Sequence, residues 1–278
     1  MEHYDITSTS NSRIKEVIAL QEKSKLRSKQ GLAVIEGKRE VSLACMGLME
    51  LTSIFYQPEL ISKDELTQII GDQKAMTYKV SPEVYQKMAH RSSTEGVIAL
   101  GKQKNHHITH MPTLGKNPLI LVAEGIEKPG NIGAMLRTAD AAGIDAVLLP
   151  DMPTDLYNPN TIRASLGCVF TLPIATGSSQ EIIDYLLTNH VGIYCATLQA
   201  SIPYSQWVAT GPTAIVVGSE DRGVSELFRK NSTQNILIPM QGAIDSMNVS
   251  VAAAILVFGH LQIYLLYLLL LIISLPIF

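Results

Sequence analysis

The sequence predicts an α/β protein in two parts, a smaller α/β unit followed by a larger α/β domain built on a parallel sheet. Three observations carry that prediction. From residue 118 to 258, short near-continuous apolar runs alternate with helical patterns, as strands buried on both faces of a parallel sheet require. The first hundred residues also alternate strand and helix signals, on the scale of one ordinary domain. Between the two, GKQKNHHITHMPTLGKNP (101–118) is polar, contains Gly and Pro and has no period, so it reads as a linker. The boundaries that follow are 1–103 for the first domain, 104–117 for the linker, 118–258 for the second domain and 259–278 for an apolar tail.

Within the first domain, residues 11–28 read as a basic amphipathic helix whose apolar face is Ile14, Val17, Ile18 and Leu26. LAVIE (32–36) is a short buried strand, followed by Gly37 and a helix over 38–47. A weak strand at 53–56 and a helix at 64–70 are followed by Tyr78–Val80, which leads to a helix opened by Ser81-Pro82, a good cap and first-turn pair. VIALG (97–101) closes the unit as a strand. In the second domain, strands are expected at 118–125, 145–150, 169–174, 192–197, 213–220 and 236–240. Helices are expected at 131–142, 158–166, 179–188, 224–230 and 248–258.

A hydrophobic content of 46% with 17% charged residues excludes a disordered chain. The net charge of −3 does not mark a nucleic-acid binder, but a global sum hides local patches. Residues 11–40 hold Arg13, Lys15, Lys23, Lys25, Arg27, Lys29, Lys38 and Arg39 against four glutamates, so this region is locally basic. Cys45, Cys168 and Cys195 are far apart with no CxxC pair, which argues against a disulfide framework or zinc site and for a reducing, cytoplasmic setting. His106, His107 and His110 have no acidic or cysteine partner nearby, so no metal is expected there. The N-terminal stretch lacks the apolar core of a signal peptide.

Ligands of open α/β sheets collect where strands end and helices begin. Three such loops share an unusual vocabulary: EGIEKPGNIGAMLRTADAAG after the strand at 118, GSEDRGVS (218–225), and IPMQGAIDSMNVSVAAAI (238–255). None is a phosphate-cradling motif: the first lacks the third glycine of GxGxxG, and no GxxxxGK[ST] occurs. No GxSxG elbow presents a serine nucleophile. Taken singly, the polar residues have ordinary readings. Asn131 could cap a helix, Glu220 and Asp221 could be first-turn acids, Ser246 could be an N-cap and Asn248 a local backbone partner. Arg137, in an otherwise small and apolar segment, is not explained that way.

In order and spacing, the three loops resemble motifs 1, 2 and 3 of the SpoU/TrmH family of RNA ribose 2′-O-methyltransferases, in the SPOUT superfamily. Motif 1 corresponds to Asn131 through Arg137-Thr138-Ala139 and motif 2 to Gly218-Ser219-Glu220 with Gly223. Motif 3 corresponds to Ile238-Pro239-Met240 with Ser246-Met247-Asn248-Val249-Ser250. RASLG (163–167) is also similar to a family segment. More loosely, NSRIK, LAVIEGKRE and STEGVIAL resemble the L30e-like RNA substrate-binding domain often fused ahead of it.

The resemblance implies a deep trefoil knot, S-adenosylmethionine as cofactor and RNA as partner, with ribosomal RNA favoured over transfer RNA. It implies a homodimer formed through the knotted domain. Thr197, Leu198, Gly218, Ile238, Met240 and Met247 would surround the cofactor, largely through backbone groups. Asn131, Arg137, Glu220, Ser246 and Asn248 would form the catalytic set. Arg137 would act on the ribose hydroxyl, as its base or as a group that holds phosphate and stabilises the alkoxide; arginine normally stays protonated, and both roles stay open here. RNA contact would draw on Arg13, Lys15, Arg27, Lys38, Arg39, Arg163 and Arg222. The rival reading is a non-catalytic RNA-binding or ribosome-assembly protein on the same scaffold, which would not need the catalytic set.

The tail departs from the family. No Asp, Glu, Lys or Arg follows Asp245, and LQIYLLYLLLLIISLPIF (261–278) has almost no polar face. It can be read as a membrane anchor, an apolar element buried in a dimer, or the product of a reading-frame error. The abrupt loss of charge favours the last, with membrane attachment not expected.

Overall fold

The computed structural model describes residues 3–90, 95–244 and 246–273. By internal contacts the chain forms two units: residues 1–105 with 155–171, and residues 106–154 with 172–278.

The first unit begins with β1 (His3–Ile6), α1 (Ser12–Glu22), α2 (Ser24–Gln30), β2 (Leu32–Glu36) and α3 (Lys38–Met46). It continues with β3 (Leu51–Tyr56), α4 (Lys63–Ile70), β4 (Met76–Val80), α5 (Pro82–Met88) and β5 (Val97–Lys102). Its mixed sheet has the order β1-β4-β3-β5-β2. β4 pairs in parallel with β1 and β3, and β5 is antiparallel to both its neighbours. Ile14, Val17 and Leu20 from α1 and Val84, Tyr85 and Met88 from α5 bury against one face.

The basic helix expected at 11–28 is two helices. Lys23 turns extended between them (φ −112°, ψ 101°), and α2 ends at Gly31 in the left-handed region (φ 63°). Strand β1, too short to show alternation in the sequence, was not foreseen.

The second unit opens with β6 (Leu119–Ala123), α6 (Pro129–Ala142) and β7 (Ala146–Pro150). The chain then supplies α7 (Pro159–Ala164) to the first unit. It resumes with β8 (Ile174–Gly177), α8 (Ser179–Thr188), β9 (Gly192–Ala196), β10 (Ser201–Pro203), β11 (Thr213–Val217), α9 (Glu226–Lys230), β12 (Gln234–Leu237) and α10 (Val249–Ile273). Seven strands form a wholly parallel sheet, β10-β12-β9-β11-β6-β7-β8.

Ile120 and Val122 of β6 and Ala214 and Val216 of β11 share a core with Ile182, Ile183 and Leu186 of α8 and Phe228 of α9. The alternate residues Leu121, Ala123, Ile215 and Val217 are also buried, so both faces are covered, which explains the continuous apolar runs.

Three local expectations differ from what forms. The strand expected at 169–174 is a 3₁₀ turn at Cys168–Phe170 followed by β8. The stretch at 101–118 is not featureless: it contains a 3₁₀ turn, Ile108–His110, whose Ile108 is buried, and His107 bridges to Thr176. The helix expected to stop at 258 runs on to Ile273, and its Val249–Tyr267 stretch is long and apolar enough to cross a membrane by length and composition, with 28% of it buried.

Candidate functional site

The site is assembled from the strand ends of the second unit. After β6 the chain reaches α6, opened by Pro129 with Lys128 at the cap and no side-chain cap bond. Asn131 is therefore not the cap. Its side-chain amide donates to the Glu220 carboxylate, and its Oδ1 accepts from Nδ2 of Asn248 at 3.2 Å. One asparagine on motif 1 thus ties together motifs 2 and 3.

Asn248 serves two ends at once. Its Oδ1 accepts from the Ser250 backbone N–H (2.9 Å) and hydroxyl (2.6 Å), which caps α10, while its amide reaches Asn131. Glu220 and Asp221 are not first-turn acids, because α9 starts later and is capped by Ser225. The Asp221 carboxylate accepts from the Ser219 hydroxyl (2.9 Å), and that bond holds its pKa below the usual carboxylate value.

The loop after β11 is pinned to itself. The Gly223 N–H donates to Ser219 O at 2.9 Å, and Gly223 takes φ 65°. This folds the loop so closely that a Cβ on Gly218 would lie 2.0 Å from the Gly223 carbonyl carbon and 2.2 Å from the Val224 nitrogen. Glycine is required at 218 for that reason.

A cavity of about 450 Å³ opens beside this network. Thr197, Leu198, Gly218, Ile238, Met240 and Met247 all line it. Glu220, Ser246 and Arg222 line it as well. Arg137 does not; it lies exposed on α6, with no ion pair to any described residue. The structure therefore joins Asn131, Glu220 and Asn248 by hydrogen bonds, sets Glu220 and Ser246 on the cavity wall, and leaves Asn131, Arg137 and Asn248 outside the lining.

Sequence reasoning missed two supports. Glu124, at the end of β6, is 7% exposed; its carboxylate accepts from the Ser179 hydroxyl (2.8 Å) and the Ser225 N–H (2.8 Å), so it fixes the start of α9. An acid directly after an apolar strand was its only local signal. The second is the pair Gln199 and Arg229 on the cavity wall, where Arg229 Nη1 donates to Gln199 Oε1 at 2.6 Å. Nearby, burial and then the Glu124 charge push the Cys195 thiol up to about 12, which keeps it protonated at neutral pH and rules it out as a thiolate nucleophile.

The expected RNA-contact residues lie in different environments. Arg13, Lys15, Arg39, Arg163 and Arg222 are exposed, and Arg13 sits over the Tyr78 ring at 5.0 Å. Lys38 is partly covered and paired with Glu65 at 2.6 Å. Arg27 must be corrected. It is 1% exposed, its Nε donates to Asp155 at 2.6 Å and its Nη1 to the carbonyls of Leu20 and Gln21. A guanidinium so enclosed cannot meet a phosphate.

Residues 118–258 match the SpoU rRNA Methylase family, and residues 11–99 match the MRM3-like substrate binding domain. The chain is 32% identical over 263 residues to the 23S rRNA (guanosine(2553)-2′-O)-methyltransferase RlmP of Bacillus subtilis, covering 92% of this chain and 98% of that protein. A crystal structure of an RNA 2′-O ribose methyltransferase superposes with a TM-score of 0.80 at 36% identity, over 94% of this chain and 99% of the other. The AdoMet-bound rRNA methyltransferase from Sinorhizobium meliloti shares the fold, with a TM-score of 0.84 at 24% identity over 94% and 98% of the two chains.

Proposed function

The chain belongs to the SpoU rRNA methylase family, and from that premise we propose that it transfers the methyl group of S-adenosylmethionine to a ribose 2′-hydroxyl of RNA, with ribosomal RNA the substrate. The observation that carries this reading is the cavity after β9, β11 and β12, bordered by the Asn131–Glu220–Asn248 network. Its volume of about 450 Å³ lies in the range of cofactor pockets. Its donor set also fits: Leu198, Ile238, Met240 and Met247 offer apolar surface for an adenine, and the loop at Gly218 offers backbone groups at close approach.

When bound, the cofactor supplies a methyl group already activated by its sulfonium. The protein's task is then alignment, bringing the ribose oxygen to roughly 3–3.5 Å from that carbon in line with the breaking C–S bond. Asn131 and Asn248 hold α6, the 218–225 loop and the start of α10 in one register for this purpose. Arg137 meets the RNA. A guanidinium normally keeps its proton, so its role is to hold a phosphate and stabilise the alkoxide as the hydroxyl proton leaves to solvent. Its exposure and its lack of an ion pair among the described residues support that role.

The same reading includes a knotted C-terminal segment, a homodimer and a cytoplasmic location. Its support for the knot is the family match at residues 118–258, with Gly218, Glu220, Ile238, Met240 and Met247 walling one cavity. Its support for the location is that Cys45, Cys168 and Cys195 form no disulfide with one another.

The substrate class is tested by offering radiolabelled S-adenosylmethionine with unmodified ribosomal RNA and, separately, unmodified transfer RNA. Label incorporated into ribosomal RNA is the expected result. Label confined to transfer RNA would move the proposal to that substrate, and label in neither, from folded protein that binds the cofactor, would favour a binding-only role.

A further inference from the structure

S-adenosylmethionine carries an anionic carboxylate at its amino-acid end, and a carboxylate taken into a part-apolar cavity needs a cation or several N–H donors. Two cations line the cavity among the described residues, Arg222 and Arg229. Arg222 is poorly suited: its side chain is 87% exposed and is paired with Asp221 at 3.3 Å.

Arg229 differs in each respect. It is partly buried and its Nη1 is fixed by Gln199 at 2.6 Å. Gln199 is itself held in place, because its backbone oxygen accepts from Asn235 Nδ2 at 3.2 Å and from the Ser201 hydroxyl at 3.0 Å. The acid nearest in sequence, Glu226, is taken by Lys230 at 2.9 Å. No carboxylate among the described residues forms an ion pair with Arg229, which leaves most of a five-donor guanidinium without an anionic partner at a cavity wall.

We infer that Arg229, oriented by Gln199, receives the α-carboxylate of the cofactor and so selects for an intact amino-acid end. The inference rests on the proposed methyl-transfer reading. It goes beyond it by naming the residue that recognises the amino-acid end of the cofactor. The forked geometry of the guanidinium suits a carboxylate better than a single point charge would.

The test is calorimetric binding to the full chain of two probes, S-adenosylhomocysteine and its decarboxylated analogue S-adenosyl-3-thiopropylamine, which keeps the amine and loses only the carboxylate. Wild type is compared with R229Q and R229K, each checked for an unchanged melting temperature. In R229Q, binding of S-adenosylhomocysteine is expected to weaken by about 10- to 100-fold, as loss of a charge-assisted contact dictates, while the analogue changes by less than about twofold. R229K, with charge but no fork, should fall between. Equal weakening of both probes would overturn the assignment and make Arg229 a structural support of the wall. No change in either probe, with weakened RNA binding, would overturn it in favour of an RNA contact. Failure of wild type to bind either probe would instead overturn the cofactor reading itself.

Discussion

Asn248 donates its side-chain amide to Asn131 across 117 residues of chain, and Asn131 passes the connection on to Glu220. Three strand-end loops therefore share one hydrogen-bonded hub, built from the Asn248 side chain that also caps α10 and from Asn131 in the first turn of α6. Glu220 and Asn248 are exposed and Asn131 is half-buried, so the hub's value for stability is small, while its value for alignment is large.

Replacing Asn131 by Ala should cost about 1 kcal/mol of stability, the usual net worth of such hydrogen bonds. Methyl transfer should fall much further, by about 100-fold, because misplacement by an ångström has that effect. Asn131→Asp should be worse than Ala, since it sets a carboxylate against Glu220, and adding Glu220→Gln should recover part of the loss. Turnover measured across this double-mutant cycle checks the hub, and additive losses would argue against it.

Gly218→Ala should abolish cofactor binding while leaving the fold in place. The added Cβ would meet backbone atoms of Gly223 and Val224, which cannot move without opening the loop. Strain of this kind costs about 1–3 kcal/mol. Titration with S-adenosylhomocysteine beside a melting curve separates loss of binding from unfolding.

Arg27→Met should destabilise the protein by about 3–5 kcal/mol, because Asp155 would remain as a largely buried, unpaired charge. The double change with Asp155→Leu should be much milder. The salt dependence of RNA binding should not change, since Arg27 has no route to a phosphate. Urea unfolding and filter binding test the two halves of this statement.

The apolar runs made the parallel sheet legible, because a strand covered on both faces leaves a continuous signal in β6, β7 and β11. The residues that the family resemblance marked for the cofactor, Thr197, Leu198, Gly218, Ile238, Met240 and Met247, line one cavity. What the sequence could not convey depended on distant partners. The helical charge run around Arg27 looks solvated until Asp155, 128 residues away, closes over it. The assignment of 155–171 to the first unit has the same origin, with Phe170 so close to Gly47 that a Cβ there would meet its carbonyl at 2.0 Å. Short strands such as β1 and β10 take their stability from neighbours, not from their own pattern.

Stability should fall as pH drops from 7 towards 5, in part through His260. It is 6% exposed, stacked on Trp207 at 4.7 Å, and burial lowers its pKa below the ordinary 6.5. The unfolded chain therefore binds the proton more readily, and stability present above about pH 6.5 is lost as pH falls towards the folded value. His260→Phe should flatten that part of the profile. Melting curves across this range provide the check, and an unchanged slope would assign the effect to other groups.

The central claim is tested most directly by locating the transferred methyl group. Unmodified ribosomal RNA is incubated with labelled S-adenosylmethionine and either wild type or Arg137→Ala, then digested to nucleosides. The account predicts label in a single 2′-O-methyl nucleoside with wild type and none with the variant. Label on a base, or equal ribose labelling by Arg137→Ala, would contradict it.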